Sequence, residues 1–509
     1  MASAQDGALW IVTDDDAAQS FVSSLVGDGE PSAEAGFAVT ETVNGLSIAR
    51  LDPSLESPFH TLIHDEFNRC GGYTVHESLE AARAEAENPF YDAEYLGRSN
   101  VVNPVIDQGP AVSAALAEID PAAIVSTIQM LEAKGTRHYL SATGEQAAED
   151  VRALWASLGA GRSDVSVARY PHPGWPQDSV IATIRGNEAH DEIVVIGGHL
   201  DSINPSNLSD APGADDDASG VAVVTEVLRA LIESDFKPRR TLQFMAYAAE
   251  EVGLRGSRAI AEAYANDPRK EVIAALQMDM TGYQGSSEDL YFITDYVSAD
   301  LTDFLKALVQ TYNGPGPHEI TYGETSCGYA CSDHAAWTGE GIPAAFPFEA
   351  LFNDFNPAIH SSNDTLTQID GTGAKQAKFA KLGVEFMIEV AKSAGTALPE
   401  VGRRMGFAWA DQPSSALYTP SATYAYNGAG GAITASRSGP GVYTMHFAGL
   451  GGNGVAGAHI QVSGYGASRD DCKIAGWSSN GSDLVASVRC VSPSGIPVDA
   501  RYSIYATWP

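Results

Sequence analysis

Short apolar segments alternate with helical patterns between about residues 110 and 396, and this alternation narrows the possible folds more than any other feature of the sequence. Four segments are typical of strands: "EIVVIGGHLD", "TLQFMAYAAEE", "VIAALQMDM" and "DLYFITDY". Helical patterns such as "SGVAVVTEVLRALIES" lie between them, and an amphipathic helix, "AKQAKFAKLGVEFMIEVAKS", closes the region. The pattern predicts an α/β domain over residues 106–398, with a largely parallel sheet and helices on both of its faces.

The two flanking regions differ from this central one in composition and in hydrophobic pattern. Residues 1–105 combine β-like stretches with an Ala/Glu-rich helix and end in a turn-rich segment, so they predict a small α+β unit followed by an exposed linker. Residues 399–509 are rich in Gly, Ser and Tyr and contain short alternating stretches, which predicts a β-sandwich. A chain of 509 residues is long enough for these three regions.

The net charge of the chain excludes some classes of partner. The net charge of −35, from 65 acidic and 30 basic residues, disfavours nucleic acid and anionic membranes, and no apolar run reaches the length of a membrane span. The first residues do not form a signal peptide, so the protein is either cytosolic or has lost its signal.

The cysteines favour the oxidising environment of a secreted protein. There are two local pairs, Cys327 with Cys331 and Cys472 with Cys490, plus Cys70, with five reduced cysteines as the alternative.

Polar residues of similar chemistry follow the apolar strands of the central region. His199 and Asp201 end the first strand, Glu250 and Glu251 end the second, and Asp279 follows the third. Ligands bind at the carboxyl ends of strands in open α/β sheets. The segment "APGADDDASG" adds three consecutive aspartates beside these residues.

So many carboxylates at one sheet edge would repel one another unless a cation held them together. Imidazole and carboxylate ligands without thiolate suit zinc, with manganese or cobalt as alternatives. The number of candidate ligands suggests two ions, and the Asp triplet can supply the carboxylate that bridges them. A solvated acidic loop or a calcium site would also explain the triplet, and a helix N-terminal acidic pair would explain the two glutamates.

Taken together, "GGHLDS", "APGADDDASG", "MAYAAEEVGLRGS", "ALQMDM", "CGYACSDH" and "NPAIHSSNDT" resemble the two-zinc leucyl aminopeptidases secreted by bacteria. The resemblance covers the whole central region and implies a mixed, mainly parallel sheet sandwiched by helices. It also implies a ligand set. His199 and Asp279 would bind one zinc, Glu251 and His360 the other, and Asp216 would bridge both ions. The peptide bond after Asp216 is expected to be cis.

The resemblance further assigns the catalytic roles. Glu250 would be the general base that takes a proton from the zinc-activated water and passes it to the leaving amine. Asp201 would hold the ring of the first histidine ligand. Tyr329, held by a Cys327–Cys331 disulfide, would donate a hydrogen bond to the developing oxyanion. Two free thiols are the alternative for that cysteine pair.

The resemblance also implies an apolar pocket for the N-terminal residue of the substrate at Phe348, Phe352 and Ile359, which favours leucine and other large apolar residues. The two phenylalanines could instead be ordinary core residues. A relative that cuts at C-termini or removes acyl groups would need a cationic group for a substrate carboxylate. A binding protein that has lost its metal would lack one of the ligands. The expected pocket is apolar and all the expected ligands are present, so both alternatives are less favoured than a monomeric exopeptidase that acts on peptide N-termini.

The flanking regions are expected to regulate and stabilise this enzyme. The resemblance implies that residues 1–105 are a prosegment that restrains the enzyme until a protease cuts the linker near residue 100. The unpaired Cys70 could contact zinc, although packing within the prosegment explains it as well. A Cys472–Cys490 disulfide is expected to stabilise the C-terminal β domain, whose role the sequence does not indicate.

Overall fold

The structure is a computed structural model that describes residues 8–26, 36–67, 69, 71–76, 78–87, 105–316, 318–395, 405–429, 431–451, 459–466, 469–480 and 483–507. The chain divides into two compact units, Met1–Thr396 and Ala397–Pro509. Cys70 and the linker around residue 100 lie outside the described residues.

The N-terminal part of the first unit is a four-stranded antiparallel sheet covered by helices. Its strands are β1 (Leu9–Asp14), β2 (Phe37–Val43), β3 (Leu46–Leu51) and β4 (Tyr73–His76), and they run in the order β2-β3-β1-β4. Its helices are α1 (Asp15–Val26), α2 (Glu56–Phe67) and α3 (Leu79–Ala86). The apolar face of α2 points into the core of this sheet. Phe59 lies 4.9 Å from Phe21 and 5.3 Å from Tyr73 between ring centroids.

The rest of the first unit is built on a six-stranded mixed sheet in the order β12-β9-β7-β8-β6-β5. Its strands are β5 (Val165–Tyr170), β6 (Ser179–Ile184), β7 (Ala189–His199), β8 (Arg240–Tyr247), β9 (Glu271–Gln277) and β12 (Ala344–Ala345). Strands β12, β9, β7 and β8 run parallel, whereas β6 and β5 pair antiparallel at one edge. A three-stranded sheet, β11-β10-β13, lies apart from it and consists of β10 (Leu290–Ile293), β11 (Tyr322–Thr325) and β13 (Pro347–Phe348). The predicted strand "DLYFITDY" is β10 of this smaller sheet.

Helices cover both faces of the central sheet, because successive apolar side chains of β7 point to opposite faces and both must be buried. Val194 and Ile196 belong to one apolar core with α7 (Ala218–Glu233) and α11 (Ala374–Ala391), while Val195 packs into a second core with α8 (Arg255–Ala265) and α10 (His334–Gly339). The remaining helices are α4 (Gly109–Leu116), α5 (Pro121–Glu132), α6 (Ala142–Leu158) and α9 (Ala299–Tyr312). The predicted fold, a mainly parallel mixed sheet sandwiched by helices, is confirmed.

The second unit contains two antiparallel sheets around one apolar core. One sheet has the order β16-β14-β22-β19 and the other β15-β17-β18-β21-β20. Their strands are β14 (Met405–Ala410), β15 (Leu417–Tyr418), β16 (Ala425–Asn427), β17 (Ile433–Gly439), β18 (Val442–Phe447), β19 (His459–Gly464), β20 (Asp471–Asn480), β21 (Asp483–Val491) and β22 (Tyr502–Thr507). The Cys472–Cys490 disulfide joins the neighbouring strands β20 and β21.

Among the described residues, no single helix has the length and apolar composition of a membrane span. Only α4 and α5 taken together, bent by 62° relative to each other, satisfy the same criteria.

Candidate metal centre

The three neighbouring parallel strands β9, β7 and β8 bring their carboxyl ends to one edge of the central sheet. His199 is the last residue of β7, Glu250 and Glu251 follow β8 after a short loop, and Asp279 follows β9. All four side chains are buried. The structure therefore brings together the polar residues that the sequence predicted at this edge.

The three aspartates of the triplet have three different sets of partners. Asp215 accepts hydrogen bonds from the amide of Gly282 and the side chain of Asn356, both at 3.0 Å. Asp217 begins α7 by accepting from the amide of Gly220 at 2.8 Å. The peptide bond between Asp216 and Asp217 is cis, as predicted.

Asp216 lies between the two predicted histidine ligands. Its Oδ1 is 2.8 Å from His199 Nε2 and its Oδ2 is 3.0 Å from His360 Nε2. On the first side, Asp279 Oδ1 lies 3.6 Å from the same nitrogen of His199. On the second side, Glu251 Oε2 lies 2.9 Å from His360 Nε2. One carboxylate thus lies between two pairs of predicted ligands.

The donor atoms of this cluster fit a divalent cation. Ligand atoms of His199, Asp216 and Glu251 lie within 4.8 Å of one another, as do those of His199, Asp217 and Asp279. In the described part of the chain, neither carboxylate oxygen of Glu250 nor Oδ1 of Asp279 accepts a hydrogen bond. Buried carboxylates without partners cost several kcal/mol each. Imidazole and carboxylate donors without thiolate suit zinc, so the residues present fit that ion.

Burial and close contacts between charged groups shift the pKa values of the cluster. Burial raises the pKa of Glu250 well above its usual range and, together with the charge of Asp216, raises the pKa of Glu251 to about 7. Burial also opposes ionisation of Asp216, but hydrogen bonds from His199 and His360 outweigh it and lower the pKa of Asp216. A divalent cation stabilises the charged form of carboxyl groups whose ionisation burial opposes.

Comparison with known proteins identifies the family of the chain. The sequence profile of peptidase family M28 matches residues 179–385, which include all the predicted metal ligands. A probable aminopeptidase of Saccharomyces cerevisiae is 35% identical over 315 residues, covering 59% of this chain and 82% of the yeast protein. The chain belongs to peptidase family M28. Leucine aminopeptidase 1 of Penicillium rubens is 39% identical over 290 residues, 54% of this chain and 72% of the relative.

A solved aminopeptidase structure is also similar to this chain. The crystal structure of the LapA aminopeptidase of Legionella pneumophila superposes with a TM-score of 0.63 at 27% identity, covering 75% of this chain and 98% of the Legionella chain. The M28 protein is thus a metallo-aminopeptidase, a zinc-dependent hydrolase. The predicted resemblance to leucyl aminopeptidases is confirmed, although the relatives include fungal as well as bacterial proteins.

Asp201 of the M28 protein supports the centre through its main chain and its side chain separately. The ring nitrogen Nδ1 of His199 lies 3.2 Å from the backbone oxygen of Asp201 but 3.6 Å from its carboxylate. The carboxylate instead accepts hydrogen bonds from the amides of Glu250 and Glu251, at 3.0 and 3.2 Å. Asp201 therefore orients the two glutamates as well as the histidine.

The predicted oxyanion and pocket residues lie together in one apolar cluster near the centre. Tyr329, Phe348 and Ile359 are buried there, with Phe352 packed against them. The Phe352 ring is 5.9 Å from Tyr329 and 5.8 Å from Phe348. The Cys327–Cys331 disulfide spans Tyr329. The sequence did not reveal that Met280, Phe346 and Phe355 also belong to this cluster.

Sequence reasoning missed two groups of residues around the centre. The first is Arg137, a buried arginine whose guanidinium donates to the backbone oxygens of Leu200, Pro212 and Gly213 at 2.9, 2.5 and 2.8 Å. It joins the two ends of the loop that runs from β7 to the triplet. A single arginine far along the chain gives no sequence signal for such a role.

The second group is a pair of histidines on α2 of the N-terminal part. The rings of His60 and His64 lie 5.1 Å and 4.8 Å from the ring of His360. Their spacing of four residues on a helix is a common metal-ligand spacing and was the available signal. Burial and the neighbouring ring of His360 lower the pKa of His60 well below its usual value.

Proposed function

We propose that this protein is a secreted two-zinc aminopeptidase that removes large apolar N-terminal residues, leucine preferred, from peptides. The observation that carries the proposal is the position of Asp216 between two ligand pairs, His199 with Asp279 and His360 with Glu251. Two ligand pairs that share one carboxylate favour two ions over one. Leucine aminopeptidase 1 of Penicillium rubens is a relative whose name carries the same substrate preference.

The proton transfers are assigned to Glu250. Its buried carboxylate lies 3.9 Å from His199 Nε2 and accepts no hydrogen bond from a described residue, so it is available to exchange a proton. Bound zinc would supply Lewis acidity and lower the pKa of a coordinated water. Glu250 takes the proton of the attacking water and donates it to the amine that leaves. The hydroxyl of Tyr329 donates to the oxyanion that develops at the substrate carbonyl.

Substrate selection is assigned to the apolar cluster of Phe348, Phe352 and Ile359. These residues pack beside Tyr329, so an apolar first side chain of a peptide would be buried next to the scissile bond. A leucine buried in such a cluster gains about 1.5–3 kcal/mol relative to water. A charged first residue would lose its hydration without gaining a partner.

The N-terminal part is proposed to keep the enzyme latent until the linker near residue 100 is cut. Strand β4 packs directly on the loop that follows Glu250, where a Cβ at Gly253 would come within 2.8 Å of the Val75 side chain. Tyr329 carries the guanidinium of Arg69 above its ring at 5.2 Å. With these contacts in place, Glu250 and Tyr329 are both buried.

Hydrolysis of leucine p-nitroanilide tests the proposal. The zinc-loaded chain, cut in the linker by brief proteolysis, is expected to hydrolyse it. It should leave the N-acetylated analogue intact, because a blocked amine is not a peptide N-terminus. Activity should disappear with 1,10-phenanthroline and return with zinc, and elemental analysis should give two zinc ions per chain. Hydrolysis of the acetylated substrate, or of C-terminal residues only, would contradict the proposal.

A further inference from the structure

Helix α2 is fixed over the metal centre from the N-terminal part of the chain. At its first residue, Glu56 pairs with the guanidinium of Arg255 and accepts a hydrogen bond from the hydroxyl of Tyr139 at 3.4 Å. Its apolar residues Phe59 and Ile63 are buried in the core of the N-terminal sheet. The helix is therefore held from two sides, and the histidine that follows Phe59 has a defined position.

His60 is the side chain that this position directs at the metal ligands. It is 1% exposed, and one of its ligand atoms lies within 4.8 Å of ligand atoms of both Glu251 and His360. Neither of its ring nitrogens has a hydrogen-bond partner in the part of the chain that the structure describes. A buried imidazole with both nitrogens unsatisfied is costly, because each polar group loses its hydration without compensation.

His64, on the same helix, shows that a position close to His360 does not by itself leave an imidazole buried and without hydrogen-bond partners. The side chain of His64 is 25% exposed, and its Nδ1 lies 3.3 Å from Asp65 Oδ1. His64 is therefore accessible to solvent and has a protein partner, although its ring is as close to His360 as that of His60. Of these two histidines on α2, His60 is the one that combines burial, unsatisfied nitrogens and proximity to two proposed ligands.

We propose that His60 is a ligand of the zinc site formed by Glu251 and His360 in the uncut chain, and that the N-terminal part inhibits the enzyme through this bond. The proposal rests on the proposed function in that it takes zinc as the resident ion. Coordination would satisfy one nitrogen of His60 and would occupy a position that the amine of a substrate needs. Cutting the linker frees the N-terminal part to leave, and its departure withdraws the imidazole.

The experiment compares the full-length, uncut protein with three variants, each loaded with zinc. His60→Leu removes the ligand atom but keeps an apolar group of similar size, and His60→Ala removes the side chain altogether. His64→Ala is the matched control on the same helix. X-ray absorption at the zinc edge counts the histidine ligands, and dipicolinate measures how fast zinc is removed. Neither measurement requires turnover.

We expect both His60 variants to lose the signal of one histidine per chain and to release zinc about tenfold faster or more, because loss of a ligand or its support weakens metal sites by that order. The uncut His60 variants should also hydrolyse leucine p-nitroanilide faster than uncut wild type. His64→Ala should match wild type in all three measurements. An unchanged histidine signal in His60→Leu and His60→Ala would overturn the proposal.

Failure of the proposed function has a different signature. Wild type cut in the linker would then bind zinc without hydrolysing leucine p-nitroanilide. The histidine count of the uncut chain would still decide whether His60 is a ligand.

Discussion

Glu250 is the side chain whose replacement separates catalysis from metal binding. It contacts the centre through His199 at 3.9 Å, whereas Glu251 lies 2.9 Å from His360. Glu250→Gln keeps the shape but removes the proton acceptor. We expect kcat on leucine p-nitroanilide to fall about 10²–10⁴-fold while the zinc content is unchanged. Glu251→Gln is the matched control and should lower the zinc content. A Glu250→Gln variant that retained full activity would contradict the assignment of the base.

Arg137 is expected to hold the loops of the metal centre in place. Its guanidinium satisfies three buried backbone oxygens, so Arg137→Met would leave all three without a donor. An unsatisfied buried acceptor costs about 1–3 kcal/mol, so we expect the free energy of unfolding to fall by roughly 3–5 kcal/mol and zinc to be lost more readily. Arg152→Met is the control, because Arg152 makes only a half-exposed pair with Glu149. Chemical denaturation of both variants would give the comparison, and equal losses would contradict the role.

The ligand residues differ in how far the sequence alone could predict them. His199, Glu251 and Asp279 follow apolar segments that form parallel neighbouring strands, and parallel strands end at one edge. His360 and Tyr329 lie in loops, so only the resemblance to a family assigned them. The spacing of His60 and His64 is a sequence signal for metal ligation. The sequence does not show which surface His60 contacts, however, because its position, like that of Arg137, depends on tertiary packing between distant segments.

Helix α2 offers a second way to test latency that leaves the metal ligands intact. Glu56, at its N-terminus, is the partner of Arg255 on α8, so Glu56→Gln should weaken the docking of α2. We expect the uncut variant to hydrolyse leucine p-nitroanilide several-fold faster than uncut wild type, whereas the two cut enzymes should be equal. Glu41→Gln, which removes a pair with Arg83 inside the N-terminal part, is the control. Equal rates for the uncut proteins would argue against restraint by α2.

Helix α11 contains a buried carboxyl group that makes stability depend on pH. Burial raises the pKa of Glu385 to about 8, although the Asn313 side chain donates to both of its oxygens at 2.7 Å. A pKa raised on folding means that the protonated form stabilises the fold. This contribution is complete below the unfolded pKa of about 4.3 and is lost as the pH rises toward about 8.

Glu385→Gln should remove this loss, because the amide does not ionise. We expect the variant to gain roughly 2–4 kcal/mol over wild type between pH 5 and pH 8. Thermal unfolding of both proteins across this range measures the difference. Glu118→Gln, at an exposed position, is the control and should follow wild type. A stability difference between Glu385→Gln and wild type that did not grow with pH would contradict the assignment.

For the molecule as a whole, the alternation of strands and helices was sufficient to predict the fold class of the central region. The N-terminal sheet, with its own core, lies in the same unit as the central sheet. Its contacts with that region include ion pairs such as Arg258 with Glu85 at 2.9 Å. Such contacts form between segments distant in sequence, and composition gives no indication of them. The C-terminal unit, in contrast, has a separate core, and the sequence indicated it by a change in composition and hydrophobic pattern.

The separate core of the C-terminal unit implies that its disulfide can be removed without loss of catalysis. Cys472 and Cys490 are buried in that core and are 18 residues apart in sequence. A disulfide that closes a loop of this length contributes about 3 kcal/mol, so replacing both cysteines with alanine should lower the unfolding temperature of this unit. Zinc content and activity on leucine p-nitroanilide after the linker is cut should stay at the wild-type level, because every proposed ligand belongs to the first unit. Calorimetry and an activity assay on the same sample give both quantities. A parallel loss of activity would mean that the catalytic unit depends on the C-terminal unit for its fold.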